Sequence, residues 1–266
     1  PERGWGLVDE TWRAIESLER YEPVRPAGSN AGARWFNLGD RDLATHFYRT
    51  ARLAEGATLT EVTDEIRRAR NVPIRVLPMS DDRVSTLVTV DAGSGTPEQG
   101  QEISFQDYFV RLRHSVAVSS IRFDGTAALT GEARSSIVDA SCVVIAPSNP
   151  LVSIGPIRSL HGVDDLLADR RDHVVAVSPI VGGAALKGPA DRMLIELGHD
   201  PSVVGVAELY APIASTLVID AIDAHHAEAV EAAGMRCVVT ETVMSTPAVA
   251  RQLAIDTLAS VPAASR

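Results

Sequence analysis

Read along its apolar positions, the chain changes texture twice. Residues 9–20 place Trp12, Ile15 and Leu18 at steps of three, which predicts an amphipathic helix, and the Pro26-Ala-Gly-Ser-Asn-Ala-Gly32 stretch after it reads as an exposed loop. A second helix is predicted from about Asp40 to Glu55, closed by Gly56, with Leu43, Phe47 and Leu53 facing the core. Thr58-Leu-Thr-Glu61 has capping-box spacing and starts a third helix that runs to about Arg70. Strand texture follows at Ile74–Leu77, Val84–Val90, Glu102–Phe105 and Ser119–Phe123, with a hairpin tip at Gly93–Gly100; residues 72–125 read as a β-rich insertion. Beyond Val138 the two textures alternate. Strands are predicted at Cys142–Ala146, Val174–Val177, Ser215–Asp220 and Arg236–Thr240, and helices at Val163–Arg171, Pro189–Leu197, Ala224–Ala233 and Pro247–Ala259. That order is the mark of βαβ units. The expected fold is α/β: one doubly wound, Rossmann-like domain over residues 1–266, its sheet mostly parallel, carrying the 72–125 insertion.

Composition narrows the class. A chain of 266 residues with 45% hydrophobic content can bury a real core. Its apolar runs fall short of the roughly 18 residues a spanning helix needs, and the N-terminus lacks a signal-peptide pattern, so a soluble cytoplasmic protein with no membrane partner is expected. The formal net charge of −10 argues against a nucleic-acid partner. Cys142 and Cys237 form no Cys-x-x-Cys unit and read as buried reduced thiols, with no zinc site. Lys187 is the single lysine; such arginine usage fits a GC-rich genome better than arginine chemistry.

Three polar loops hold the candidate chemistry. Pro147–Pro156 and Ser178–Asp191 each follow a β-branched run, so they fall at the carboxyl ends of strands, where open α/β sheets bind ligands. Their Gly, Ser, Asn and Pro content suits a backbone that approaches a phosphate closely. Lys187 stands just ahead of a helix with proline in its first turn, a position suited to gripping an anion; a turn with Lys187 in water fits the same residues. Ser148-Asn149-Pro150 also reads as a plain strand-ending turn. The third loop, Leu38-Gly-Asp-Arg-Asp-Leu-Ala-Thr-His46, gathers two carboxylates, a guanidinium and an imidazole at a helix start. These groups could bind a polar ring edge, or Asp40 could be a cap and Asp42 with His46 a surface pair. Asp81 and Asp82 follow a predicted strand and could hold Mg²⁺, orient a hydroxyl, or be solvated turn residues. No Gly-x-Gly-x-x-Gly follows a first strand, Gly182–Gly188 lacks Walker-loop spacing, and no Gly-x-Ser-x-Gly elbow is present.

With these motifs in order along the whole chain, the sequence resembles the 2-phospho-L-lactate transferase family of coenzyme F-420 biosynthesis. The resemblance rests on residues 38–46, Met79-Ser-Asp-Asp82, Pro147–Ile157, Val177–Gly183, Gly205-Val-Ala-Glu-Leu-Tyr210 and Met244-Ser-Thr-Pro247. The loop with Lys187 looks like the actinobacterial, phosphoenolpyruvyl-transferring branch. The resemblance implies transfer of a phospholactyl or phosphoenolpyruvyl group from a guanylylated donor to a deazaflavin acceptor, with release of GMP and with Mg²⁺ as cofactor. It implies that Ser148, Asn149, Pro150, Ser153, Ser178, Gly182, Gly183, Lys187 and Gly188 hold the donor. Asn37, Gly39, Asp40, Arg41, Asp42 and His46 would then line the acceptor site, with Asp81 and Asp82 catalytic. Family members open with a strand, a Gly-rich turn and an aspartate-rich metal segment, and the resemblance places these, with the metal ligands, upstream of Pro1. A homodimer is compatible with it. A nucleotide-sugar-binding regulatory protein of the same superfamily, without catalysis, is the alternative; an unrelated Rossmann-like oxidoreductase would need the missing fingerprint.

Overall fold

The computed structural model describes residues 9–27, 29 and 38–261, and contacts gather the chain into two units: residues up to Asp81 with Gln106–His114, and Asp82–Phe105 with Ser115 onward. The first unit is helical. Helix α1 (Arg13–Ser17) buries Ile15 and runs on as a 3-10 turn over Leu18–Val24, so the predicted 9–20 helix is α-helical for five residues only. Helix α2 (Asp40–Ala54) ends before Gly56, and α3 (Leu59–Ala69) begins with a complete capping box: the Glu61 N–H donates to Thr58 Oγ1 at 3.2 Å and the Thr58 N–H to Glu61 Oε2 at 2.8 Å. A short π-type turn at Asp107–Arg111 belongs to this unit and buries Tyr108.

Helix α2 corrects one expectation. Phe47 is 72% exposed and Leu53 37%, and no residue of α2 is fully buried. The face turned to α3 is polar instead: Arg52 grips Glu65 through two bonds of 3.0 and 3.1 Å, the Tyr48 hydroxyl donates to Glu65 at 2.8 Å, and Arg70 donates to Thr45 Oγ1 at 2.6 Å. Charge-assisted pairs, not an apolar stripe, register the two helices. Residues 74–77 are a second correction, since they form no strand and leave Ile74 68% exposed. Pro73 and Pro78 remove ladder donors at both ends of that run.

The second unit holds two main sheets. Strands β1 (Ser85–Val90), β2 (Glu102–Ser104) and β3 (Val118–Asp124) form an antiparallel sheet in the order β2-β1-β3. After α4 (Gly131–Asp139), the parallel sheet is laid down by β4 (Val143–Ile145), β5 (Val174–Val177), β8 (Thr216–Asp220) and β9 (Arg236–Thr240), in chain order. Between these strands run α5 (Gly155–Arg158), α6 (Val163–Asp169), the small hairpin β6 (Ile180–Val181) and β7 (Ala184–Ala185), α7 (Ala190–Glu196), α8 (Val203–Tyr210) and α9 (Ala227–Ala232). Helix α10 (Pro247–Ala259) follows β9. All four residues of β5 are buried, so both faces of the sheet are covered. Leu253 of α10 packs with Val175, Val177 and Val218 on one face.

Three helices that periodicity did not predict are α4, α5 and α8. Helix α8 buries Val203, Gly205, Val206, Ala207 and Tyr210 and is apolar nearly all round, which erases the 3.6-residue signal. Cys142 and Cys237 are free and partly buried, and burial raises both thiols' pKa, with Glu231 adding to the shift at Cys237. Among the described residues no helix is long and apolar enough to cross a membrane.

Candidate functional site

The carboxyl ends of β4, β5, β8 and β9 lie side by side, because parallel pairing in chain order brings every following loop to one edge of the sheet. The loop after β4 turns at once: the Ser148 N–H donates to the Ala146 carbonyl at 2.7 Å. Asn149 then caps the π-type turn Pro150–Ile154, its Oδ1 accepting from the Leu151 and Val152 N–H groups at 2.9 and 3.3 Å. Pro150 sits in the first turn, where its missing N–H costs nothing. Gly155 faces Phe123 of β3: a Cβ there would come within 2.9 Å of the Phe123 ring. This motif is packed as much as displayed.

The loop after β5 folds back on itself. Ser178 is buried; its N–H donates to the Val218 carbonyl at 2.9 Å and its hydroxyl meets the carbonyl and N–H of Ile180, each at 3.1 Å. Gly182 and Gly183, with φ of 61° and 79°, make the two-residue tip of the β6–β7 hairpin, a conformation that needs positive φ at both positions. Helix α7 lies against the Pro150–Ile154 turn, and Asn149 Nδ2 approaches Met193 Sδ at 3.8 Å, so the two loops meet. Lys187 and Gly188 are exposed just before α7.

Of the predicted donor residues, Asn149, Ser178 and Gly182 already use the groups the sequence assigned to a ligand. The Ser148 and Ser153 hydroxyls and the Lys187 ammonium have no partner among the described residues. These three are the groups open to an anion.

Two carboxylates at the same edge went unnoticed in the sequence. Asp220 ends β8; its Oδ1 accepts from the Ile222 N–H at 3.1 Å, and its Oδ2 from the Thr242 N–H and hydroxyl at 2.8 and 3.0 Å. Burial opposes its ionisation, but these donors outweigh burial and hold its pKa below the usual carboxylate value. Asp223, 3% exposed, accepts from the Gly182 N–H at 2.9 Å. The only sequence signal was an aspartate closing a strand with a second aspartate three residues on. Because the folded Asp220 is the more acidic state, its contribution is present above the unfolded pKa and lost as pH falls through the folded one. A plot of Tm against pH is therefore expected to lose stability below about pH 4 in the native protein, and Asp220→Asn should start lower and show less of that fall. Parallel curves for the two proteins would contradict the role given to Asp220.

In the first unit, Asp40 is a lock between segments. It accepts from the Thr11 hydroxyl and from the Ala14 N–H, and its pKa is lowered, first by Thr11 and then by Ala14. Glu10, 8% exposed, accepts from the Arg41 and Asp42 N–H groups at 2.8 and 3.2 Å and so caps α2 from a distance. Gly39 is open at φ −71°, but a Cβ on it would fall 2.2 Å from Glu10 Oε2. Of the predicted acceptor residues, the Asp42 and His46 side chains have no partner among the described residues, Arg41 is exposed, and Asn37 lies outside them. A groove of about 300 Å³ between α2 and α3, lined by Thr45, Tyr48, Glu65 and Arg70 among others, contains none of the predicted acceptor residues. Asp81 accepts from the Thr60 N–H at 2.7 Å, at the start of α3, and Asp82 is exposed. Among the described residues no three His, Cys, Asp or Glu are grouped to hold a metal.

Comparison with known proteins bears on this edge. A family model described as 2-phospho-L-lactate transferase CofD matches residues 7–255. A phosphoenolpyruvate transferase of Kitasatospora aureofaciens is 37% identical over 262 residues, covering 97% of this chain and 78% of that protein. One from Streptomyces griseus is 39% identical over 258 residues, covering 94% and 77%, and one from Mycobacterium ulcerans is 40% identical over 222 residues, covering 83% and 64%. Among solved structures, a Bacillus halodurans protein of the UPF0052 family shares the fold in two crystal structures. Both are 13% identical, with TM-scores of 0.58 and 0.56, covering 94% and 84% of this chain and 79% and 73% of those chains.

Proposed function

Because this chain belongs to the 2-phospho-L-lactate transferase CofD family, we propose that it transfers a phosphoenolpyruvyl or 2-phospho-L-lactyl group from a guanylylated donor to a deazaflavin hydroxyl. The acceptor oxygen attacks the phosphorus that bears the three-carbon group, the bridging P–O bond breaks, GMP leaves, and the hydroxyl proton passes to solvent or base. Phosphoryl-type transfer asks little covalent chemistry of the protein and much alignment and charge neutralisation. The relatives at 37–40% identity bear the name phosphoenolpyruvate transferase, which favours the enolpyruvyl donor here.

Two loops at neighbouring strand ends carry this reading: Ser148 and Ser153 on one and Lys187 on the other present unpartnered donors, and the loops touch through Asn149 and Met193. Lys187 would bind the diphosphate as a point charge and the serine hydroxyls its oxygens. Asn149 and Ser178 would act one step back, holding the loop conformations. Asp42 and His46 are assigned to the acceptor. The described residues do not make a Mg²⁺ site, so no step here runs through a metal.

The test is GMP release from the guanylylated donor, followed with and without the deazaflavin acceptor and across Mg²⁺ concentrations. Release is expected to require the acceptor and to rise with Mg²⁺. Donor binding without GMP release under any of these conditions would leave a nucleotide-binding protein and end the catalytic reading.

A further inference from the structure

Hairpin β6–β7 carries the donor loop, yet it is held by only two residue pairs, Ile180 with Ala185 and Val181 with Ala184. A two-stranded ribbon that short does not hold its own shape in water. Its base is anchored by buried Ile180 and by the Ser178 hydroxyl. Its tip reaches outward, with Gly182 and Gly183 both exposed. One bond fixes that tip: the Gly182 N–H donates to Asp223 Oδ2 at 2.9 Å. The carboxylate is 3% exposed, and a charge-assisted bond in such surroundings is stronger than one in water. Ile222 supports the tip beside it, with Cδ1 3.6 Å from where a Gly182 Cβ would stand.

Asp223 is itself held in place. The Asp220 carboxylate closes the turn onto the Ile222 N–H and is gripped by Thr242 from the loop after β9. Thr242, Asp220, Asp223 and Gly182 thus link three adjacent strand ends into one hydrogen-bonded frame. A negative charge beneath the hairpin tip also makes the tip a poor seat for phosphate oxygens, which directs the donor towards Lys187.

Resting on the donor site proposed above, we propose that Asp223 is a positioning residue: it holds the Gly182–Gly183 tip so that Lys187 meets the donor diphosphate, and the Gly182 amide binds protein rather than ligand.

Two variants separate this from a general folding role. Asp223→Ala removes the acceptor, whereas Asp223→Asn keeps a carbonyl oxygen for the Gly182 N–H. Asp223→Ala is expected to raise the KM for the guanylylated donor about three- to tenfold, the size of one lost hydrogen bond, with a much smaller change in kcat and in the acceptor KM. Asp223→Asn should recover most of that loss. A folded Asp223→Ala protein with donor KM within about twofold of native would overturn the proposal, as would an Asn variant as impaired as the Ala variant. Should Asp223→Ala not fold, amide exchange in the native chain decides: the Gly182 N–H is expected to be protected although its residue is exposed, and free exchange there would overturn it. The exchange result needs no substrate, so it stands apart from the donor assignment, which fails only if native protein neither binds nor turns over the guanylylated donor.

Discussion

Lys187→Ala is expected to weaken binding of the guanylylated donor by about 1–3 kcal/mol, roughly five- to 150-fold, while leaving Tm unchanged. The two halves of that expectation come from one observation. Lys187 is exposed and its ammonium has no partner among the described residues, so nothing in the fold depends on it. It is also the chain's only lysine, set between the hairpin and α7 at the sheet edge. Calorimetric titration of donor into native and variant protein at two salt concentrations measures the effect. The native affinity should fall with salt more steeply than the variant's, because one screened charge has been removed. Asn149→Ala makes the contrast. It loses the cap on the Leu151 and Val152 amides and so should cost about 1 kcal/mol of stability, with its effect on donor binding following from the displaced loop. Equal donor affinity in native and Lys187→Ala protein would remove Lys187 from the site.

Gly39→Ala should destabilise the first unit by about 1–3 kcal/mol, and most of that cost should vanish when Glu10 is also replaced. The backbone at Gly39 suits any residue, so the demand is one of space. An added Cβ would lie 2.2 Å from Glu10 Oε2 and 2.3 Å from Cδ, where the carboxylate caps α2. Either the helix start or the carboxylate must move. If the carboxylate moves, two amides at the positive end of α2 lose their acceptor. Denaturant unfolding of Gly39→Ala, Glu10→Ala and the double variant forms a cycle that measures this coupling. An equal cost of Gly39→Ala in both backgrounds would show that Glu10 is not what the glycine makes room for.

These two residues differ in how far they could be read from the chain. Lys187 stood out as the sole lysine beside a proline-started helix, and the structure puts it where that reading needs it. Gly39 and Asp40 stood out as a motif, but the partners that explain their placement, Glu10, Thr11 and Ala14, lie some thirty residues earlier, and no local spacing points to them. Asn149 was legible as a polar residue after a strand; that its oxygen faces its own backbone depended on the turn it caps. Asp223 left almost no signal. Its importance comes from Gly182, forty-one residues away, brought beside it by the pairing of β5 with β8.

The sequence by itself determined the elements whose causes are local. The four β-branched runs became the parallel strands, Thr58 and Glu61 closed their capping box, and Thr246 and Pro247 started α10, because side-chain branching, caps and proline act within a few residues. Tertiary structure decided what local rules leave open. It turned Phe47 outward, because charged pairs register α2 on α3; it left residues 74–77 without a strand, because no neighbour pairs with them between two prolines; and it made a helix of the apolar α8. It also chose which polar groups face a ligand and which bind protein. Hydrogen-bond partners are set by distance in space, and a chain read along its length carries that distance only where the partners are neighbours.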